Sequence, residues 1–231
     1  MSAFVVHSEE GKIFVAADTL LSKASSENGN SPIGFTSKIH PIINKRMLMI
    51  GLGMLECTMK WYNIVNQRIL AKDILGVNEY STRGMREFLF PLLNKNTGAD
   101  AVIYQLGFDS NNQIHFFEYE SRCNFVSKEM LVRDFVRPGF GNPMEGVQDI
   151  DGILDRMFLI LQNVKKHSEQ ISPNHIGTIG GEMQLSILTP NEYTTRIYKS
   201  FPDYEQMYKT VLNKCSDIKE INEPLVGGEE E

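Results

Sequence analysis

The alternation of apolar and polar residues predicts a β-hairpin at the start of the chain. Apolar and β-branched residues favour one strand over residues 3–7 and a second strand over residues 12–17. The polar residues 8–11 between them end in Gly11, which tolerates the positive φ that tight turns require.

The register of this hairpin determines what faces Ser2. A turn centred near Glu9 and Glu10 places Ser2 opposite Ala17 or Asp18. A carboxylate beside a terminal hydroxyl and amine is a chemically useful combination, so the hairpin is a candidate catalytic centre. An edge hairpin with a serine behind the initiator methionine is the structural alternative, and the segment alone leaves it open.

After the hairpin the period of the apolar positions changes to that of helices. A polar loop over residues 22–31 and two short strands, at 38–39 and 47–50, come first. Apolar residues then recur at helical spacing from Met54 to about Leu75. A second helix is predicted over 82–94 with Ser81 as its N-cap, and Pro91 is expected to kink or divide it.

The rest of the chain is predicted to contain mostly strands and two helices. The elements are strands at 101–108, 113–120, 124–127, 132–136, 182–188 and 194–199, a loop at 139–143, and helices at 149–166 and 204–212. This grouping of strands and helices favours an α+β fold of antiparallel sheet covered by helices. We expect a single domain over residues 1–222 and a flexible acidic tail over 223–231.

Composition and charge narrow the classes of function. The net charge of −6 argues against a general nucleic-acid role, which needs a basic face. No apolar run approaches the length that spans a bilayer, and no secretion signal is present, so we expect neither a membrane role nor secretion. Cys57, Cys123 and Cys215 are widely spaced without zinc-ligand spacing, which is typical of reduced thiols in the cytoplasm. We expect no metal and no cofactor.

Several short motifs occur in an order that resembles a known family. They are GKIFVAAD at 11–18, SKI at 37–39, IGLGMLE at 50–56, the hairpin at 101–120 and IGGE at 179–182. Together they resemble the proteasome β-subunit family of N-terminal nucleophile hydrolases, which includes bacterial ATP-dependent ring peptidases. The resemblance extends from Ser2 to about Tyr204 and implies a four-layer αββα sandwich of two antiparallel sheets covered by helices.

The resemblance also implies a catalytic site. In the family, the first residue after processing attacks a carbonyl, and its own α-amine acts as general base. The match assigns this role to Ser2 after removal of Met1, and an α-amine pKa near 8 suits a proton acceptor. Asp18 and Lys38 match the charged pair beside the nucleophile, where Lys38 lowers the proton affinity of the amine and Asp18 orients Lys38. The structural alternative for this pair is a plain salt bridge in a sheet.

An oxyanion hole needs a backbone N–H beside the attacked carbonyl, and glycine permits close approach. Gly51 and Gly53 both meet this requirement. Gly51 is slightly preferred because it ends the predicted strand, and a simple strand-to-helix turn explains either glycine equally well.

The chain departs from the family pattern in its second half. Phe140 occupies the place of the serine in the family's Gly-Ser-Gly, and Ile176 and Ile179 replace the late aspartate and serine. In the family these side chains position the terminal amine and relay protons. Thr178 and His175 are the residues available to substitute for them.

Two functions of different class follow from the resemblance. The first is hydrolysis of peptides or small amides through an acyl-ester on Ser2. The second is a catalytically silent proteasome-like subunit with a structural or binding role. Family α subunits carry a helical extension before the first strand, whereas this sequence begins directly at the strand, which favours the hydrolase. The resemblance further implies a homo-oligomeric ring and an ATP-dependent unfoldase or cap as partner.

Overall fold

A computed structural model describes residues 2–23, 30–96, 98–131, 133–139, 141–171 and 178–214. These residues form twelve strands, four α-helices and three short 3-10 turns. The strands are β1 (Phe4–Glu9), β2 (Lys12–Asp18), β3 (Leu20–Lys23), β4 (Ser31–Phe35), β5 (Ile39–Ile42), β6 (Met47–Gly53), β7 (Ala101–Phe108), β8 (Ile114–Glu120), β9 (Lys128–Glu129), β10 (Asp134–Arg137), β11 (Glu182–Leu188) and β12 (Tyr193–Ser200). The helices are α1 (Leu55–Gln67), α2 (Ile74–Lys95), α3 (Ile153–Ile171) and α4 (Tyr204–Lys214).

The strands form two antiparallel five-stranded sheets that pack face to face. The order is β10-β1-β2-β11-β12 in the first sheet and β5-β6-β7-β8-β9 in the second, and β3 and β4 form a separate two-stranded ribbon. Helix α3 covers the outer face of the first sheet, and α1 and α2 cover the outer face of the second. The predicted four-layer αββα sandwich is therefore confirmed.

Strand β2 shows why the first hairpin is apolar on both faces. Ile13, Val15 and Ala17 face the second sheet, while Phe14 and Ala16 face α3. Because side chains alternate between the faces of a strand, a strand covered on both sides needs apolar residues at consecutive positions. The middle layers of the sandwich thus account for the near-continuous apolar run.

The register of the first hairpin differs from the prediction by one position. Glu9 pairs with Lys12, so only Glu10 and Gly11 form the loop, and Gly11 adopts the left-handed conformation with φ of 69°. Phe4 consequently pairs with Ala17, and this register continues to place Ser2 opposite Thr19. The prediction that Ser2 faces Ala17 or Asp18 was wrong, because the turn is centred one residue later than expected.

The predicted boundary between the first two helices was also wrong. The predicted helix from residue 54 to 75 ends at Gln67, and α2 begins after Asp73, whose carboxylate accepts a hydrogen bond from the Gly76 N–H at 3.2 Å. Ser81 is buried inside α2 and donates to the Val77 carbonyl, so it is not the N-cap. A carboxylate that binds the first-turn N–H groups starts a helix, and here that carboxylate is Asp73.

Proline at position 91 does not divide α2. The helix continues through Pro91 to Lys95.

Several further boundaries differ from the predictions. Strands β3 and β4 were missed, and residues 124–127 are not a strand because Asn124 and Phe125 have φ of 54° and 51°. Helix α3 starts at Ile153 rather than at residue 149. The two hairpins β7–β8 and β11–β12 and the helix from Tyr204 are confirmed.

Three other features bear on the sequence predictions. Cys57 and Cys123 carry free thiols, and Cys215 and the predicted tail at 223–231 lie outside the described residues. Across the described ranges, no helix combines the length and the apolar character needed to cross a bilayer.

Candidate active site

Asp18 lies at the end of β2 and is completely buried. Its Oδ1 accepts the backbone N–H of Ala3 at 2.8 Å. Its Oδ2 accepts the Lys38 ammonium at 2.7 Å and the Gly180 N–H at 3.2 Å. One carboxylate therefore joins the chain start, the segment before β5 and the segment before β11.

Lys38 directly precedes β5 and crosses from the second sheet to reach Asp18. Its side chain is only 6% exposed. Burial is the largest influence on the Lys38 ammonium and lowers its pKa below the ordinary value, although the charge and hydrogen bond of Asp18 act in the opposite direction. The pair is thus a short, fully desolvated ion pair whose cation is held less firmly protonated than a surface lysine.

Ser2 is half-buried and directly precedes Ala3, the residue whose N–H binds Asp18. The covalent link and this hydrogen bond fix the backbone at Ser2 beside the Asp18–Lys38 pair. Met1 lies outside the described residues. The structure therefore gathers Ser2, Asp18 and Lys38 at one end of the two sheets.

The two predicted glycines lie in the last three residues of β6. An added Cβ at Gly51 would lie 1.8 Å from Thr58 Oγ1 of α1, so the glycine lets this helix pack against the strand. Gly53 has φ of 84°, and an added Cβ there would lie 2.3 Å from the Asp100 carbonyl oxygen. Both glycines thus have a structural role, whatever the role of their N–H groups.

The segment 179–182 closes around the end of β2. The Thr19 N–H donates to the carbonyls of Gly180 at 3.2 Å and Glu182 at 3.0 Å, and the Glu182 N–H donates to Thr19 Oγ1 at 2.8 Å. Gly181 has φ of 79°, and an added Cβ would lie 2.6 Å from Thr19 Oγ1. Gly181 therefore lets this segment approach Thr19 closely enough to form these hydrogen bonds.

Gln184 is a site residue that the sequence did not reveal. Its Oε1 accepts the Lys38 backbone N–H at 3.1 Å, and its Nε2 donates to Ser37 Oγ at 2.8 Å. The signal available in the sequence was a buried polar residue within the otherwise apolar strand β11. Gln184 links the first sheet to the Lys38 backbone and so holds the base of the lysine side chain.

The structure describes only some of the positions at which the sequence departs from the family pattern. Ile179 is 1% exposed and packs in the core beneath α3, and Thr178 is buried. Phe140, His175 and Ile176 lie outside the described residues. Ile179 therefore contributes packing at the position where the family has a serine.

The described side chains contain no group of three or more histidines, cysteines, aspartates or glutamates placed to hold a metal ion. The chemistry visible at this end of the sheets is that of a hydroxyl, a buried carboxylate and a buried ammonium.

Comparison with known proteins supports the fold. Protein-family models and curated proteins give no match to this chain. Among solved structures, the chain is similar to Anbu (ancestral beta-subunit) from Yersinia bercovieri, with a TM-score of 0.55 over 92% of this chain and 92% of that chain. The chain has the N-terminal nucleophile hydrolase fold. The two sequences are 12% identical, so this likeness shows the shared architecture.

Proposed function

We propose that this chain is a divergent proteasome β-subunit-like hydrolase that cleaves peptide or small amide bonds through Ser2 after removal of Met1. The observation that carries the proposal is the buried Asp18–Lys38 pair, bonded at 2.7 Å and anchored to the residue after Ser2. The fold shared with Anbu (ancestral beta-subunit) supports the same conclusion.

The energetic cost of the pair is the main physical argument. Moving two charges out of water costs several kcal/mol per ion, and their attraction repays this only in part. Apolar residues of similar size would serve the packing of this end equally well. A buried lysine with a lowered pKa, joined through Asp18 to the residue after Ser2, is therefore better explained by chemistry than by stability.

The proposed reaction uses one residue as nucleophile and base. The Ser2 Oγ attacks the substrate carbonyl carbon while the free α-amine of Ser2 accepts the hydroxyl proton. The amine then gives this proton to the leaving nitrogen, and the C–N bond breaks to leave an ester on Ser2. Water hydrolyses the ester with the amine again acting as base. The positive charge of Lys38 lowers the proton affinity of the Ser2 α-amine, so that the amine can pass the proton on to the leaving nitrogen.

Gly51 is the oxyanion donor that we propose, in preference to Gly53. Ile39 pairs with Ile50, and the same register continued by one residue sets Lys38 opposite Gly51. Gly51 thus lies one residue beyond the last pair of the β5–β6 ladder and directly across from the lysine of the site. Gly53 lies two residues further on, at the turn into α1.

The replacement of the family's late aspartate and serine by Ile176 and Ile179 favours a second candidate, a catalytically silent subunit with a structural or binding role. Ile179 fills core space where the family has a serine. In this candidate, the Asp18–Lys38 pair only joins the two sheets.

Intact-mass measurement and substitution of Ser2 distinguish the two candidates. We expect the native protein to have lost Met1 and to hydrolyse fluorogenic peptides. Ser2→Ala should abolish this hydrolysis, whereas Ser2→Thr, which keeps a hydroxyl beside the amine, should retain a measurable rate. A retained Met1, or equal rates for the native protein and Ser2→Ala, would favour the silent subunit.

We also propose that the chain assembles into a homo-oligomeric ring, with an ATP-dependent unfoldase or cap supplying unfolded substrate. The support is the family resemblance together with the shared fold. Light scattering of the purified protein should give a mass several times that of one 26.2 kDa chain, and Ser2→Ala should leave this mass unchanged. A monomeric mass would contradict the ring.

A further inference from the structure

One peptide group connects Asp18 to a lysine of α3. The Gly180 N–H donates to Asp18 Oδ2 at 3.2 Å, and the Ile179 carbonyl accepts from Lys165 Nζ at 2.8 Å. This N–H and this carbonyl belong to the same trans peptide unit, in which they point in opposite directions. The unit therefore spans the space between the two side chains, with its positive end on Asp18 and its negative end on Lys165.

Lys165 is held so that it keeps both its position and its charge. Its Nζ lies 2.8 Å from Glu169 Oε1 and 3.0 Å from Asp203 Oδ2. With the Ile179 carbonyl these are three partners for the three donors of an ammonium. Burial alone would lower the pKa of Lys165, but the hydrogen bonds and charges of the two carboxylates outweigh it and raise the pKa. Lys165 is therefore a charged donor at neutral pH.

The other side of the same loop is clasped by Thr19. Its N–H binds the Gly180 carbonyl, and its hydroxyl accepts the Glu182 N–H. The loop is thus fixed between Thr19, which directly follows β2, and Lys165 on α3. Of these two contacts, Lys165 is the one that bonds to the peptide unit whose N–H meets Asp18.

We infer that Lys165 is a positioning residue for the Asp18–Lys38 pair and acts through the 179–180 peptide. Its ammonium fixes the orientation of this peptide, so that the Gly180 N–H meets the carboxylate oxygen that also binds Lys38. A charged donor on the carbonyl polarises the peptide and makes its N–H a stronger donor. The consequence for catalysis rests on the function proposed above, whereas the effect on the Gly180 N–H does not.

The direct test measures hydrogen exchange of the Gly180 amide by NMR in Lys165→Met. Loss of a charge-assisted hydrogen bond on the same peptide should speed this exchange by about tenfold or more. The amides of Val6 and Val15, in the centre of the β1–β2 hairpin, should change little. Lys165→Arg, which keeps the charge, should restore most of the protection.

The matched control is Lys166→Met, which removes an equal charge from the next, exposed position of α3. It should leave Gly180 exchange unchanged. If Gly180 exchange in Lys165→Met is also unchanged, or rises only together with that of Val6 and Val15, the inference is overturned. Should Lys165→Met not fold, Glu169→Gln weakens the hold on Lys165 and should give a smaller rise at Gly180, and no rise would overturn the inference equally.

The activity measurement separates this inference from the proposed function. If Ser2 is the nucleophile, Lys165→Met should lower kcat for peptide hydrolysis by about 10- to 100-fold through misplacement of the pair, with KM changed by less than about twofold. Faster Gly180 exchange in a protein that shows no hydrolysis in its native form would support the positioning role and contradict the hydrolase. Unchanged Gly180 exchange in an active protein would support the hydrolase and contradict the positioning role.

Discussion

Within the part of the chain that the structure describes, two ion pairs join the two sheets, and they differ in burial and in their number of partners. Asp18–Lys38 has a carboxylate with no exposed surface and an ammonium 6% exposed. Glu118–Arg137 connects β8 to β10 at 3.1 Å, with the carboxylate 4% and the guanidinium 36% exposed. Both pairs bridge the same two layers, so their differences do not follow from the fold alone.

The second pair is the better satisfied of the two. Arg137 also donates to the Tyr104 hydroxyl at 3.0 Å, and Lys128 adds a second cation 3.3 Å from Glu118. Its guanidinium still reaches solvent, so its desolvation cost is small. Lys38, in contrast, meets a single carboxylate among the described residues and has a lowered pKa because of burial. The comparison indicates that Glu118–Arg137 stabilises the sandwich. Burial of the Asp18–Lys38 charges near Ser2, in contrast, costs desolvation free energy that their attraction offsets only in part.

The two ion pairs should differ most in how their substitution changes the rate of peptide hydrolysis. Lys38→Met removes the positive charge that acts on the Ser2 α-amine, so peptide hydrolysis should fall by about 10²- to 10³-fold, the range for loss of one electrostatic group in an active site. Arg137→Met, the matched change in the other bridge, should alter the rate by less than about threefold. Steady-state kinetics on both variants checks this, with circular dichroism to verify folding. Equal losses would mean that activity depends only on the packing of the sheets.

The two cations that contact Glu118 should differ in their effect on stability. Arg137→Met leaves the buried Glu118 with only Tyr104 and Lys128, so we expect the free energy of unfolding to fall by about 1–3 kcal/mol. Lys128→Met removes a cation that is 65% exposed and should cost less than about 1 kcal/mol. Urea denaturation measures both values. If the two substitutions cost the same, the structural role assigned to Arg137 is wrong.

The two bridges also show what could be predicted from the sequence. Lys38 and Asp18 were identified because each lies in a short motif whose order along the chain resembles a family. Gln184 contacts Lys38 from 146 positions away, and Lys165 lies on α3, a helix that has polar residues on both its exposed and its buried faces. The sequence marks Gln184 only as a polar residue in an otherwise apolar strand, and nothing local distinguishes Lys165 from an ordinary lysine of a helix. The role of each residue exists only once β11 and α3 have packed against the first hairpin.

The secondary-structure predictions were likewise right where the signal is local in the sequence and wrong where it is not. The β7–β8 and β11–β12 hairpins were predicted because alternation and turn residues are local signals. The start of α2 was missed because the Asp73 cap had to be recognised within an apparently continuous apolar pattern. The register of β1–β2 was wrong by one residue because it depends on which residues occupy the turn: the turn was expected to be centred near Glu9 and Glu10, whereas Glu10 and Gly11 form the loop.

The smallest difference that we predict between the two ion pairs lies in how each makes the free energy of unfolding depend on pH. Burial alone would raise the pKa of Glu118, but Tyr104, Arg137 and Lys128 together lower it below the ordinary 4.5. The folded state then binds fewer protons than the unfolded state below about pH 4.5, so stability is lost as the pH falls through the folded pKa. Glu118→Gln should flatten this acid side of the stability curve.

Lys38 should act at the opposite end of the curve. Its pKa is lowered from 10.5, chiefly by burial, so between the lowered pKa and 10.5 the unfolded state binds more protons than the folded state. This contribution makes stability rise with pH through that window, and Lys38→Met should remove the rise. Urea midpoints measured across pH for the two variants and the native protein check both effects. If both variants flatten the curve of stability against pH on the same side, the two ion pairs titrate alike. The contrast between a pair with several partners and a buried pair with one partner would then be wrong.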